Sequence, residues 1–264
     1  ILVVSDNSYL KEFISFANTL ADKSSEIIMR YFRHRFNIET KEDNTPVTIA
    51  DKSCEEKIRE LIKQAYPSHG IIGEEYGSIN LDSEFTWVID PIDGTQSFIA
   101  GHKDFGTLIA LLQNKEPVLG IINCPAHQER WIGIDNQPTT LNGNVVTTSN
   151  IQKIKDGYAF TSGLYFKDDK FKKGFDKIIQ RAKYYRFGGD CYMYGMLASG
   201  LIDVVIEDTL KIYDYMALIP VIEGAGGIVS DKNNKAITQE SDGSFVATAN
   251  IILHKEVAEI LKSN

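Results

Sequence analysis

The segment Trp87-Val-Ile-Asp-Pro-Ile-Asp-Gly-Thr-Gln-Ser-Phe98 ends an apolar run with two carboxylates, a proline and a glycine. Phe85 to Ile89 predicts a short buried strand, and Pro91, lacking a backbone N–H, cannot continue the interior of a sheet. Asp90 and Asp93 therefore stand where a strand opens into a loop. Gly94 permits a tight turn, and Thr95 or Ser97 is suited to begin a helix whose free N–H groups attract an anion. A second acidic pair, in Gly73-Glu74-Glu75, follows another apolar stretch, His69-Gly-Ile-Ile. A lone Asp-Gly is ordinarily a polar turn, but two acid-bearing strand ends in one short region are poorly explained as solvated loops. Four carboxylates near one point repel one another by several kcal/mol unless divalent cations neutralise them. An all-oxygen donor set favours Mg²⁺ or Mn²⁺ over zinc.

The chain has 264 residues, 43% of them hydrophobic, which suffices for a large core near the upper size of one domain. A single domain over residues 1–264 is expected, with lobes at about 1–145 and 146–264. The formal net charge of −8 argues against nucleic acid and against an anionic membrane surface as partners. Cys54, Cys124 and Cys191 form no CxxC pair, and their odd number fits a reducing compartment. His34, His69, His102, His127 and His254 are scattered without metal-ligand spacing and are expected on the surface or in loops. The opening Ile1-Leu-Val-Val is too short for a signal peptide or membrane span, and no later apolar run is long enough to cross a bilayer. A soluble, cytoplasmic protein is the expectation.

Apolar residues from Leu10 to Tyr31 keep helical spacing and predict a long helix from Ser8 to about Phe32. A polar loop, Lys41 to Pro46, precedes a second helix near Ala50 to Ala65, and Pro67 follows as a stop signal. Thr107 to Leu112, Val118 to Ile122 and Arg130 to Ile134 predict an antiparallel meander. The second half alternates strands near 157–161, 184–187, 202–206, 227–230 and 245–248 with helices near 172–183, 191–199 and 214–225. Such alternation indicates a layered α/β lobe. Asp51 lies in the first turn of the second helix, where a carboxylate is stabilised by the helix dipole. Asp214 sits among Ile212, Tyr213, Tyr215 and Met216, and an unpaired carboxylate in such apolar company is costly, which favours a ligand role.

Taken together, Gly73-Glu74-Glu75, Asp90-Pro-Ile-Asp-Gly-Thr95 and Asp214 ahead of Glu223-Gly-Ala-Gly-Gly227 resemble the inositol monophosphatase family of magnesium-dependent phosphomonoesterases, over nearly the whole chain. Phe105 to Leu112, Glu129 to Gly133, Gly189-Asp-Cys-Tyr192 and Tyr213-Asp214 look more like its histidinol-phosphate phosphatase branch. The resemblance implies an α/β fold, the layered αβαβα sandwich of the inositol monophosphatase and sugar phosphatase type, usually homodimeric, with the site between the lobes. It assigns Glu74, Asp90 and the Ile92 carbonyl to a first Mg²⁺, and Asp90, Asp93 and Asp214 to a second. A third, weaker ion would share Glu74. It pairs Asp51 with Thr95 to orient and deprotonate the attacking water, and the N–H groups of Gly94 and Thr95 would hold phosphate. Phosphate-ester hydrolysis is very slow uncatalysed, so positioning and charge stabilisation must supply most of the acceleration.

By the same resemblance, Glu207 contacts the non-phosphate end of the substrate. Asp190 adds a carboxylate where inositol phosphatases usually carry small neutral residues, although it could instead cap the helix through Leu197. Two carboxylates facing the leaving group would favour a cationic alcohol such as histidinol over a neutral polyol. Gln96 departs from the branch, which often places a basic residue there. The expected reaction is Mg²⁺-dependent hydrolysis of L-histidinol phosphate, a small phosphorylated metabolite. The alternatives are an inositol-1-phosphate or broad-specificity monophosphatase, an adenosine 3′,5′-bisphosphate 3′-phosphatase, and a catalytically weak binder of a phosphorylated metabolite. The bisphosphate reading would need the basic segment Lys167 to Lys173 to fold over the site.

Overall fold

The structure is a computed structural model that describes residues 8–35, 38–40 and 46–263. The apolar Ile1 to Val4 and most of the polar loop, 41–45, lie outside the described residues. Two helices, α1 (Ser8–Tyr31) and α2 (Ile49–Ala65), follow the amphipathic pattern of the sequence. Between them the antiparallel strands β1 (Ile38–Thr40) and β2 (Pro46–Thr48) pair, which the apolar periodicity does not signal. Thr48 caps α2 reciprocally with Asp51, fixing where the helix starts.

The next strands are β3 (Gly70–Gly73), β4 (Gly77–Ile79) and β5 (Phe85–Asp93), and after α3 (Thr95–Ala100) come β6 (Gly106–Gln113), β7 (Glu116–Cys124), β8 (Glu129–Ile134), β9 (Thr140–Leu141) and β10 (Asn144–Val145). They form one eight-stranded sheet in the order β10-β9-β8-β7-β6-β5-β3-β4. From β5 to β10 it is an antiparallel meander, as expected, whereas β3 runs parallel to β5. The second half contributes β11 (Tyr158–Thr161), α4 (Asp169–Arg181), β12 (Tyr184–Phe187), α5 (Asp190–Ala198), β13 (Val204–Glu207), α6 (Ile212–Tyr215), α7 (Leu218–Gly224), β14 (Ile228–Ser230), β15 (Phe245–Thr248) and α8 (Ile251–Lys262). Its five-stranded sheet has the order β12-β11-β13-β15-β14. The single helix expected from Asp214 to Ala225 is two short ones, α6 and α7.

Strand parity builds the layers, because successive side chains point to opposite faces. On β5, Trp87 and Ile89 pack against α1 and α2, while Val88 packs with α5 and α7 on the other face. On β13, Val205 joins that same central core, whereas Val204 and Ile206 face α4 and α8. The result is helix, sheet, helix, sheet, helix: an αβαβα sandwich.

All three cysteines are buried and free. His254 corrects the expectation that the histidines lie at the surface. It is buried in α8, with ring nitrogens against Thr248, Ser230 and Asn234, and burial pushes its pKa down to about 4. Among the described residues no helix is long and apolar enough to cross a membrane.

Candidate active site

The parallel pairing of β3 with β5 sets Gly73 opposite Ile89, so the next residues, Glu74 and Asp90, leave neighbouring strands side by side. The Glu74 N–H donates to the Ile89 carbonyl at 3.2 Å. In a regular strand Asp90 and Asp93, three residues apart, would point to opposite faces. Pro91 interrupts the ladder instead. Asp90 pairs with Leu108 and Asp93 with Gly106, a bulge that brings both carboxylates to one side. Thr107 holds the bulge by donating to the Pro91 carbonyl at 2.9 Å, and the Ile92 N–H donates to Asp90 Oδ1 at 3.0 Å. From across the cleft α6 brings Asp214, whose Oδ2 accepts the Lys211 N–H at 2.6 Å.

Carboxylate oxygens of Asp90, Asp93 and Asp214 lie within 4.8 Å of one another. Glu74 lies within hydrogen-bonding reach of Asp90. Without a cation this arrangement is unfavourable. Burial first, then the charges of Glu74, Asp93 and Asp214, hold the Asp90 carboxyl well above the usual range. Asp93 is raised likewise by burial and by Asp190 and Asp214, and burial with Glu74 pushes Asp214 up to about 7. Converging oxygen donors that resist ionisation together fit a hard divalent cation such as Mg²⁺.

Asp51 is buried behind this cluster. Its Oδ2 accepts the Thr48 N–H at 2.8 Å and the Thr48 hydroxyl at 2.5 Å, leaving Oδ1 directed to Thr95, 3.4 Å away. The Thr95 hydroxyl also lies 3.1 Å from the Ile92 carbonyl and donates to one acceptor at a time. Burial raises the Asp51 pKa against the opposing Thr48 hydrogen bonds. Asp51 thus combines the helix-capping role with a contact to the signature threonine.

The second lobe interlocks with this loop. Gly94 has φ +84° and starts α3, and a Cβ there would lie 2.8–2.9 Å from Asp190 atoms, so only glycine fits. Asp190 Oδ2 accepts the Ser97 hydroxyl at 2.6 Å, and the Cys191 N–H donates to Asp93 Oδ2 at 2.5 Å. Glu74, Asp90, Ile92, Asp93, Gly94, Thr95, Asp190 and Asp214 all line one cleft of about 450 Å³.

A family model described as "Inositol monophosphatase family" matches residues 9–264. The chain belongs to the inositol monophosphatase family. Members of that family are phosphoric monoester hydrolases. The chain is 43% identical over 262 residues to the chloroplastic bifunctional phosphatase IMPL2 of Arabidopsis thaliana, covering 96% of this chain and 76% of that protein. It is 34% identical over 232 residues to a histidinol-phosphatase of Chlorobaculum parvum, covering 87% and 90% respectively. It also superposes on the solved inositol monophosphatase of Zymomonas mobilis with a TM-score of 0.88 at 39% identity, covering 97% of this chain and all of that one.

Within this inositol monophosphatase fold one expectation changes, the capping role of Asp190. Asp190 does not cap α5, because Gly189 holds the N-cap position; Asp190 is the first helical residue, at φ +41°, and its side chain turns to Ser97. Glu207 is buried at the end of β13, its oxygens accepting from the Thr161 hydroxyl and from both the N–H and hydroxyl of Ser162. It stands behind Ser162, which itself lines the cleft, and with Asp93, Asp190 and Asp214 it borders a smaller adjoining pocket.

Sequence reasoning missed Ser162, Gly163, Gly188 and Thr209 in the cleft wall. Ser162 and Gly188 follow the carboxyl ends of the parallel strands β11 and β12, where ligands gather in α/β sheets, so the strand-then-small-residue pattern was the available signal. Among the described residues no lysine or arginine lines the cleft, and the Lys167 backbone N–H donates to Asp208.

Proposed function

We propose that this phosphatase hydrolyses L-histidinol phosphate to L-histidinol and phosphate in a Mg²⁺-dependent reaction. The observation that supports the choice of substrate is the Asp190 carboxylate, held toward the cleft by Ser97 in a pocket that no basic side chain lines among the described residues. Such a wall favours a leaving group bearing an ammonium and disfavours a second phosphate, which speaks against adenosine 3′,5′-bisphosphate. The similarity to a histidinol-phosphatase supports the same reading.

Glu74, Asp90 and the Ile92 carbonyl would hold one Mg²⁺, and Asp90, Asp93 and Asp214 another, with a third sharing Glu74. Bound there, the ions supply positive charge to the phosphate and to the entering and leaving oxygens. The chain's own residues do the rest. Thr95 Oγ1 orients the water, and Asp51 Oδ1 draws its proton through that hydroxyl. The water oxygen forms the new bond to phosphorus as the ester P–O bond breaks, the departing alcohol oxygen takes a proton from solvent water in the open cleft, and Asp51 returns its proton to solvent. The N–H groups of Gly94 and Thr95 hold phosphate oxygens. The presence of both the water-orienting pair and the carboxylate cluster argues against a pure binder, which needs neither.

A second reading, an inositol-1-phosphate or broad-specificity monophosphatase, is supported by the 39% identity to the Zymomonas mobilis enzyme. Phosphate release from L-histidinol phosphate, inositol 1-phosphate and adenosine 3′,5′-bisphosphate, each with Mg²⁺ and with a chelator, separates the readings. A preference for histidinol phosphate of about 100-fold, roughly 2.7 kcal/mol in transition-state binding, is expected. Comparable rates on inositol phosphate would establish the second reading.

A further inference from the structure

Helix α2 carries Asp51, Glu55 and Arg59 at intervals of four, so all three lie on one face, and all three are buried. Asp51 meets Thr95, as described. Glu55, fully buried, serves a different segment. Its Oε1 accepts Arg59 Nε at 2.7 Å and the Tyr76 N–H at 3.2 Å, and its Oε2 accepts the Glu75 N–H at 2.7 Å. Arg59 spans the same loop and donates through Nη2 to the Gly77 carbonyl. The approach is close enough to require glycine before the loop: a Cβ on Gly73 would lie 2.0 Å from Glu55 Oε1. The segment immediately after Glu74 is thus clamped at three consecutive residues by one ion pair on α2. Burial of an Arg–Glu pair is costly unless hydrogen bonds satisfy its remaining donors and acceptors, and here the loop backbone supplies them.

We propose that Glu55 and Arg59 are positioning residues that hold Glu74 at a set distance from Asp51, so that one helix aligns a cation ligand with the group that draws a proton from water. A rigid helix with i, i+4, i+8 attachments is suited to this, because its rise of about 1.5 Å per residue leaves little freedom between the two attachment points. The inference rests on the reading of Glu74 as a cation ligand. It adds that the ligand's placement is controlled from α2 and not from β3 alone.

The test compares Glu55→Gln, Arg59→Lys, Glu74→Gln and Ile62→Val. Ile62 is buried on the same helix and touches the core instead of the loop, so its truncation lowers Tm without reaching the clamp. Mn²⁺ affinity is read directly by calorimetry on each folded variant, alongside Tm and kcat at saturating Mn²⁺. Glu55→Gln places an amide NH₂ where only acceptors fit, and it should weaken Mn²⁺ binding by about 10-fold or more, as loss of a ligand's supporting partner typically does, with kcat recovering at saturating Mn²⁺. Ile62→Val should leave the affinity unchanged. An equal Tm loss in Glu55→Gln and Ile62→Val with wild-type Mn²⁺ affinity in both would overturn the positioning role. Should Glu55→Gln not fold, Arg59→Lys decides by the same criterion, because it retains a charge partner for Glu55 but cannot also span to Gly77. If Glu74→Gln binds Mn²⁺ as the wild type does, the ligand assignment falls and this inference with it. If Glu74→Gln weakens binding and the clamp variants do not, only the positioning role falls.

Discussion

Replacing Asp93 with asparagine should separate stability from function. The amide oxygen can still accept the Cys191 N–H that joins the two lobes at this point, so the fold is expected to survive. What is lost is one negative charge from a cluster whose oxygens lie within 4.8 Å of each other. At that spacing a fully ionised pair repels by about 3.5 kcal/mol at an effective dielectric of about 20. Burial and mutual repulsion keep protons on the cluster, so only part of that repulsion is expressed. Relief of about 1–2 kcal/mol is expected near pH 8, which for a chain of this size raises Tm by a few degrees. The metal-free Asn variant should therefore melt higher than metal-free wild type. With Mg²⁺ the order reverses, because wild type gains about 2.7 kcal/mol at 100 times its dissociation constant and the variant does not. The assay is thermal unfolding in chelator and in Mg²⁺, with phosphate release measured on the same samples. A variant that is less stable in chelator, or that turns over near the wild-type rate in Mg²⁺, would refute both the electrostatic argument and the two-ion assignment.

The pH dependence of the metal-free protein follows from the same cluster. The folded pKa of Asp214 is raised to about 7 from an ordinary value of 3.8, so its contribution is fully present below about pH 4 and is lost as pH rises through 7; Mg²⁺ should flatten that limb in pH-dependent unfolding. His254 acts in the opposite sense. Its pKa is lowered to about 4, so its contribution is present above about 6.5 and is lost as pH falls through 4, and His254→Gln measured with Mg²⁺ should flatten an acid limb of roughly 3 kcal/mol. Asp51→Asn should lower kcat by about 100-fold or more while Mg²⁺ affinity, measured by calorimetry, changes little, because its proposed role is on the water. Asp190→Asn should raise KM for histidinol phosphate by about 10-fold or more, the loss of a charge-assisted contact, and leave KM for inositol 1-phosphate nearly unchanged. Equal loss on both substrates would mean that Asp190 serves only to join Ser97 to α5.

Much of the site was legible because its members are local in sequence. Asp90, Asp93, Gly94 and Thr95 fall within six residues, and Pro91 announces by its missing N–H that the strand breaks there. The bulge that turns Asp90 and Asp93 to one side is a consequence of that break. Glu74 was visible as an acid at the end of an apolar run, but its meeting with Asp90 depends on β3 running parallel to β5, a pairing that no local pattern encodes. Glu55 is one of several charged residues on α2, and nothing local in the sequence distinguishes it. Its burial is decided by a loop that returns to it twenty residues later.

Short-range patterns of burial and chemistry suffice for the helices α1 and α2, the meander, the alternation of the second half and the gathering of acidic residues at strand ends. Long-range packing sets the rest: Glu207 turns inward to hold Ser162, Asp190 turns to Ser97 while Gly189 takes the cap position, and the helix expected from Asp214 divides in two. These features join segments far apart in the chain. The two sheets must stack around α5 and α7 before such partners come within reach, so hydrogen-bond satisfaction across the lobes, and not local propensity, selects the final geometry.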